Sequence, residues 1–383
     1  MRKKGFSLIE LLLGSAIMLI VLVATLSIYT RSNRTSVDQH QYADLQNNVR
    51  SSMYFLAKDI RSAGVGLLPD IAGYFLEGTD AATPGPEAAD CIRLMGNFDD
   101  PLNLRVEDYS GSGGTGGSSA TAFLYDNAFD QSPYPCPSFY EGRNCLIIST
   151  KCPGCFALRY IDKVQGCGTG TNHIIMNPGA SDLNPPGGLV DTGCGAECWI
   201  DAIITLGQIK LYWLDTTGDL TSFKEYALTS GVDGYLGQPG VLYLSTTFKD
   251  GGITHLPIAR NIENIQFQYN GDLDDPPDQQ LDGFKNWDNV DWTILDTDTE
   301  AQRTAKRDLI SRIRQVRMWV VGRTERAYVS VSGRPPAGVS LYRRPAIANS
   351  TVVGTDDRHR RFVLESTSNV RNMSLSLYNL GQR

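Results

Sequence analysis

Between Phe6 and Ala63 the chain has no proline and a single glycine, Gly14, and before Cys91 it has no cysteine. A stretch so poor in helix breakers excludes a loop-rich or disulfide-stapled N-terminal region and favours one long helix. Catalytic signatures are also missing. There is no GxSxG, no HExxH, no P-loop and no CxxCH, and the four histidines, His40, His173, His255 and His359, share no partner spacing. The sequence therefore points away from an enzyme and away from covalent haem attachment. Positive charge is in short supply overall: 35 basic residues face 42 acidic ones, a net charge of −7, which argues against a generic nucleic-acid binder. The deficit is uneven. Residues 301–383 hold 16 Lys and Arg against 5 Asp and Glu. That basic C-terminal segment suits arginines that alternate along exposed strands and pair with acids of the same domain, or else an acidic partner or lipid surface.

What is present begins with "RKKGFSLIELLLGSAIMLIVLVA". Arg2, Lys3 and Lys4 precede a run that stays apolar or small to Tyr29, interrupted by one charge, Glu10. At about 1.5 Å per residue, Leu8–Ile28 makes a helix of roughly 31 Å, enough for a hydrocarbon core of ~30 Å. The flanking charges place the N-terminus in the cytoplasm and the bulk of the chain across the membrane. A cleavable secretory signal fits poorly, since the run exceeds the usual ~7–15 residues and no small-x-small site ends it. Helical spacing continues through Val37, Gln41, Leu45, Val49, Met53, Leu56, Ile60 and Ala63, with Asp38, Asn47, Arg50 and Asp59 expected off that stripe. "AGVGLLP" then stops the helix.

"KKGFSLIELLLGSAI" resembles the class III signal of type IV pilins and pseudopilins. The resemblance implies that a prepilin peptidase cuts between Gly5 and Phe6 and that Phe6 becomes the methylated first residue. It also implies that Glu10 pairs with the Phe6 amine of an adjacent subunit, setting the stagger of a helical bundle. A buried carboxylate is tolerable when so paired. The expected organisation is a leader at residues 1–5, a long helix at 6–68 with about 8–28 in the membrane, and a β-rich globular domain at 69–383.

Beyond Pro69, short apolar or alternating runs read as strands: "CIRLMG", "TAFLY", "CLIIST", "FALRYI", "AIITLGQIKLYWL", "VLYLSTTF", "NIQFQYN", "VRMWVVGR", "RFVLES" and "NMSLSLY". The fold class expected is α+β, an antiparallel sheet packed on the second half of the long helix, with stapled loops across the Gly/Pro/Cys-rich region from about 130 to 198. "FLAKDIRSAGVG", "ARNIENIQFQYNGDLDD", "ISRIRQVRMWVVGRTE" and "RHRRFVLESTSNVRN" are together similar to PilW-type minor pilins. This similarity implies a low-abundance subunit that primes pilus assembly and stays at the fibre tip. Its implied partners are other minor pilins, the major pilin, the prepilin peptidase, an inner-membrane assembly platform and a tip adhesin. The implied location is the inner membrane, followed by the pilus fibre. A J-type minor pseudopilin of type II secretion shares this layout, and a membrane-anchored periplasmic binding or adhesin module is the alternative of a different class.

The eight cysteines, Cys91, Cys136, Cys145, Cys152, Cys155, Cys167, Cys194 and Cys198, suit disulfides in an oxidising compartment. "CPGC" and "CGAEC" also have the spacing of zinc knuckles, and "CPGC" that of a redox dithiol. Roughly 100 pairings are open to eight cysteines, and the sequence does not choose among them. No cofactor is expected. The nearest exception is calcium at "GDLDDPPDQQLDG", where Asp272, Asp274, Asp275, Asp278 and Asp282 supply hard oxygens without EF-hand spacing. A solvated acidic turn is the competing reading. Trp287, Trp292 and Trp319 suit core packing, with carbohydrate stacking the rarer use.

Overall fold

The computed structural model describes the chain except residues 1–7, 68, 80–88, 99–102, 112–119, 126–127, 130–135, 137–138, 153–154, 168–171, 177–188, 190–193, 216–219, 221–239, 249–251, 279, 288–289, 296, 326–341, 343–344, 349–358 and 372–383. Helix α1 (Leu8–Ser62) is unbroken, as the lack of proline and glycine dictates. It ends where Gly64 and Gly66 take φ of 74° and 71°, at the glycine stop of "AGVGLLP". Every residue from Leu8 to Val37 is exposed. Burial begins at Leu45 and recurs at Val49, Met53, Leu56 and Ile60, the stripe of three- and four-residue steps.

That stripe lies on a seven-stranded antiparallel sheet, the body sheet. Its strands are β1 (Leu76–Thr79), β2 (Cys91–Gly96), β10 (Gln208–Asp215), β11 (Gly240–Phe248), β12 (Gly252–Gly271), β13 (Ile313–Arg323) and β14 (Arg361–Asn369), in the spatial order β1-β2-β10-β11-β12-β13-β14. The helix crosses β12, β13 and β14. Closest approach is at Gly322 on β13, where an added Cβ would lie 2.5 Å from Leu45 Cδ1 and 2.6 Å from Val49 Cγ2. Near the other end of the helix, Asp59 is buried and accepts hydrogen bonds from Lys210 Nζ at 3.1 Å and Tyr212 Oη at 2.6 Å, both on β10. Asp59 was expected off the apolar stripe; in the fold it is buried with its charge paired. Burial and the neighbouring Asp59 carboxylate push the Tyr212 hydroxyl far up from its ordinary range.

The α+β class is borne out. The stapled region, however, builds a second seven-stranded sheet. Its strands are β3 (Asn103–Gly111), β4 (Ala120–Leu124), β5 (Asn144–Ile148), β6 (Phe156–Tyr160), β7 (Lys163–Gln165), β8 (His173–Met176) and β9 (Ile203–Thr205), ordered β6-β5-β9-β3-β4-β8-β7. It is an insertion. The chain leaves the body at Gly96 on β2 and returns at Gln208 on β10, and these two residues are direct antiparallel partners. The run "AIITLGQIKLYWL", read as one strand, is two strands in two sheets, divided at Leu206 and Gly207.

The inserted sheet has its own core, including Leu104, Val106, Ile147, Ile174, Trp199 and Ile204. Strand β5 is buried on both faces: Cys145 and Ile147 belong to that core, while Leu146 and Ile148 join the body core. Phe156 packs edge-on against Tyr74 at 4.4 Å, and Asn97 Nδ2 donates to Thr205 Oγ1 at 2.9 Å. The insertion is therefore seated on the body by apolar side chains and a buried hydrogen bond.

Candidate functional site

Two places carry functional expectations, the N-terminal helix and the acidic loop. In the helix, Leu8, Ile9, Leu11, Leu12 and Leu13 around Glu10 are all more than half exposed. Polar side chains farther along bond back to their own helix: Ser15 Oγ donates to the Leu12 carbonyl at 2.9 Å and Thr25 Oγ1 to that of Val21 at 2.8 Å. Such hydroxyls need no outside partner in an apolar medium. Glu10 is the single charged side chain from Leu8 to Tyr29. It sits in the first described turn of α1. The helix is long and apolar enough to cross a membrane, and none of its most apolar window is covered by the body. Gly5 and Phe6 lie outside the described residues.

In the acidic loop, which follows β12, Asp272, Asp274 and Asp282 each bring an acidic oxygen within 4.8 Å of the others. Asp275 and Asp278 are not part of that group; Asp278 Oδ1 accepts from the backbone N–H of Gln280 at 2.8 Å. Asp282 accepts from the backbone of Leu273, and Arg312 Nη1 donates to the Asp274 carbonyl at 2.8 Å. The Asp282 carboxylate, with burial, Asp278 and Asp272 adding to it, pushes the Asp274 carboxyl above its ordinary range. Nearby, burial lowers the Arg314 guanidinium while Asp272 opposes the effect. The three aspartates offer calcium-type donors, and the rest of the loop is occupied with turn formation.

The remaining candidates resolve into structure. Cys152 pairs with Cys198 and Cys155 with Cys194, so "CPGC" and "CGAEC" are crosslinked to each other by two disulfides. Cys136 pairs with Cys167. Cys91 and Cys145, also disulfide candidates, are free buried thiols, which burial pushes up to about 12. All five tryptophans are buried, at most 8% exposed. Trp287 and Trp292 pack with Tyr269 in edge-on and tilted contacts between 5.0 and 5.8 Å, so the aspartate-rich excursion folds back as core. His255 Nδ1 lies 2.7 Å from Ser245 Oγ, which accepts from Trp213 Nε1 at 2.7 Å. That chain links β12, β11 and β10, and Ser245 is only 3% exposed. Several arginines of the basic C-terminal segment pair internally: Arg361 makes a two-pronged bond to buried Glu263, at 2.6 and 3.0 Å, and Arg317 pairs with Glu365.

Comparison with known proteins meets the geometry at its N-terminal end. Residues 1–26 match the prokaryotic N-terminal methylation motif. The chain carries a prepilin signal. This matches the helix as found, with an uncovered apolar segment near its start joined without a break to the part that lies on the β-rich body. The signal and helix together support membrane anchoring and association with a pilus-type machinery. No curated protein and no solved structure matches the chain.

Sequence reasoning missed β1, β3, β7 and β8, and with them the inserted sheet. β3 did carry a signal: Leu104 and Val106 are buried while Arg105 and Glu107 are exposed, the alternation of a half-buried strand.

Proposed function

We propose that the protein is a minor pilin that works by polymerisation. A prepilin peptidase removes residues 1–5, the new terminus at Phe6 is methylated, and Glu10 accepts the Phe6 amine of a neighbouring subunit. The observation that carries this reading is the exposed half of α1: from Leu8 to Val37 no residue is covered by the protein's own body. In water such a surface is a liability. In lipid, and then among the helices of a fibre, it is the contact surface. A carboxylate inside that bundle is stable with a cationic partner and unstable without one.

In this reading the N-terminus starts in the cytoplasm, the body lies beyond the inner membrane, and an assembly platform draws the subunit into a fibre with other minor pilins and the major pilin. The inserted sheet supports a place at the tip, next to an adhesin. Bulk added to one terminal subunit obstructs nothing, whereas bulk repeated along a fibre has to be packed at every turn.

The test is Glu10→Ala in the native host. Insertion and cleavage are expected to stay near wild type, while the amount of the chain in sheared fibres falls about tenfold or more, the loss of one buried ion pair. Equal incorporation of variant and wild type would remove the ion pair from the account. Co-isolation with secretion-system pseudopilins instead of minor pilins would assign the same helix to a type II secretion pseudopilus.

A further inference from the structure

The inserted sheet is held together by its shortest central strand. β9 is three residues long and lies between β5 and β3, pairing Ile203, Ile204 and Thr205 with Ile148, Ile147 and Leu146 on one side and with Arg105, Leu104 and Asn103 on the other. The β5–β6 pair joins the β3-β4-β8-β7 group through it. Three residue pairs are too few to fix a strand by themselves. What precedes β9 supplies the missing constraint. Within five residues, Cys194 is bonded to Cys155 and Cys198 to Cys152, so the segment leading into β9 is fastened twice to the turn between β5 and β6. Ser149 Oγ on that turn donates to the Cys198 carbonyl at 2.6 Å, and Trp199 is buried directly after it. The third bond, Cys136–Cys167, ties the approach to β5 to the end of β7.

The body sheet is built otherwise. Its described residues contain one cysteine, the buried thiol Cys91, and its central strands pair over long registers, β12 with β13 from Ile262 to Gly271 and β13 with β14 from Gln315 to Arg323. We infer that oxidation of two cysteine pairs, Cys152 with Cys198 and Cys155 with Cys194, is the step that closes the inserted sheet at β9, so that a redox-conditional appendage is carried on a body that folds without disulfides.

Each closure converts two cysteine thiols and the disulfide of a thiol oxidase into one protein disulfide and two oxidase thiols, with the two hydrogens and two electrons passing to the oxidase. Cys145 lies on β5, beside β9, and is the one cysteine of the insertion left as a thiol. Once the sheet closes, burial keeps it protonated and out of exchange.

Hydrogen–deuterium exchange of the full chain in detergent, oxidised against reduced with dithiothreitol, tests the inference. On reduction, amides of β9 and its partners on β3 and β5 are expected to lose about a hundredfold or more of their protection, while β12 and β13 keep theirs. Unchanged protection at β9 would overturn the inference. So would an equal loss across the body, because the disulfides would then stabilise the whole chain. The variants separate the bonds: replacing Cys152, Cys155, Cys194 and Cys198 together by serine should reproduce the β9 effect, and Cys136→Ser with Cys167→Ser should leave β9 protected. The opposite pattern would also overturn it.

Discussion

A carboxylate among apolar side chains and a carboxylate among carboxylates pose the same problem, and the chain contains both. In the proposed assembly, Glu10 is answered by an amine that cleavage creates. Asp274 is raised by its neighbours Asp282, Asp278 and Asp272. A folded-state pKa above the ordinary value of about 3.9 means that the native state holds the proton more tightly than the unfolded chain does. The associated stability is present at low pH and is lost as pH rises through the shifted value. At neutral pH the loop therefore carries unrelieved repulsion, and Asp274→Asn is expected to raise Tm slightly in metal-free buffer, with the gain vanishing below about pH 4. The backbone bond from Arg312 uses the Asp274 carbonyl and survives the change. Thermal scans at pH 7 and pH 3.5 check this. A wild-type Tm that rises with added calcium, and no longer rises in the variant, would instead make the loop a cation site. At this scale the N-terminal residues were readable because their roles follow from local order in the chain. Asp59 was not, because its partners Lys210 and Tyr212 lie about 150 positions away.

Among the elements, α1 was the most legible: an absence of breakers, a sustained spacing and a glycine stop define it from sequence alone. Its seating was hidden. Gly322 sits inside "VRMWVVGR", where a glycine weakens a strand, and only the fold shows that the helix requires it. Gly322→Ala forces Leu45 and Val49 away from β13 and is expected to cost about 1–3 kcal/mol, the range for overpacking a core. Denaturant unfolding of the full chain in detergent gives the value. A cost below a few tenths of a kcal/mol would mean that the helix shifts freely on the sheet. The division of "AIITLGQIKLYWL" was hidden for a related reason: both halves are apolar and β-prone, and which sheet each joins is decided by pairing with β5 and β3 or with β2 and β11.

Seen whole, the molecule is a membrane-type helix, a body sheet that covers the helix's second half, and an inserted sheet between two adjacent body strands. The first two follow from periodicity. The third does not, because an insertion is a statement about which distant strands are neighbours, and Gly96 opposite Gln208 leaves no mark on the local pattern. The cysteines came closest to announcing it, since seven of the eight fall within the insertion and six of those pair there. Everything proposed about assembly depends on the chain being cut after Gly5. Mass spectrometry of the N-terminal peptide from the mature protein in its native host tests this most directly. The account predicts a chain that begins at Phe6 with a methylated amine; a chain that still begins at Met1, or one cut after residue 25, would contradict it.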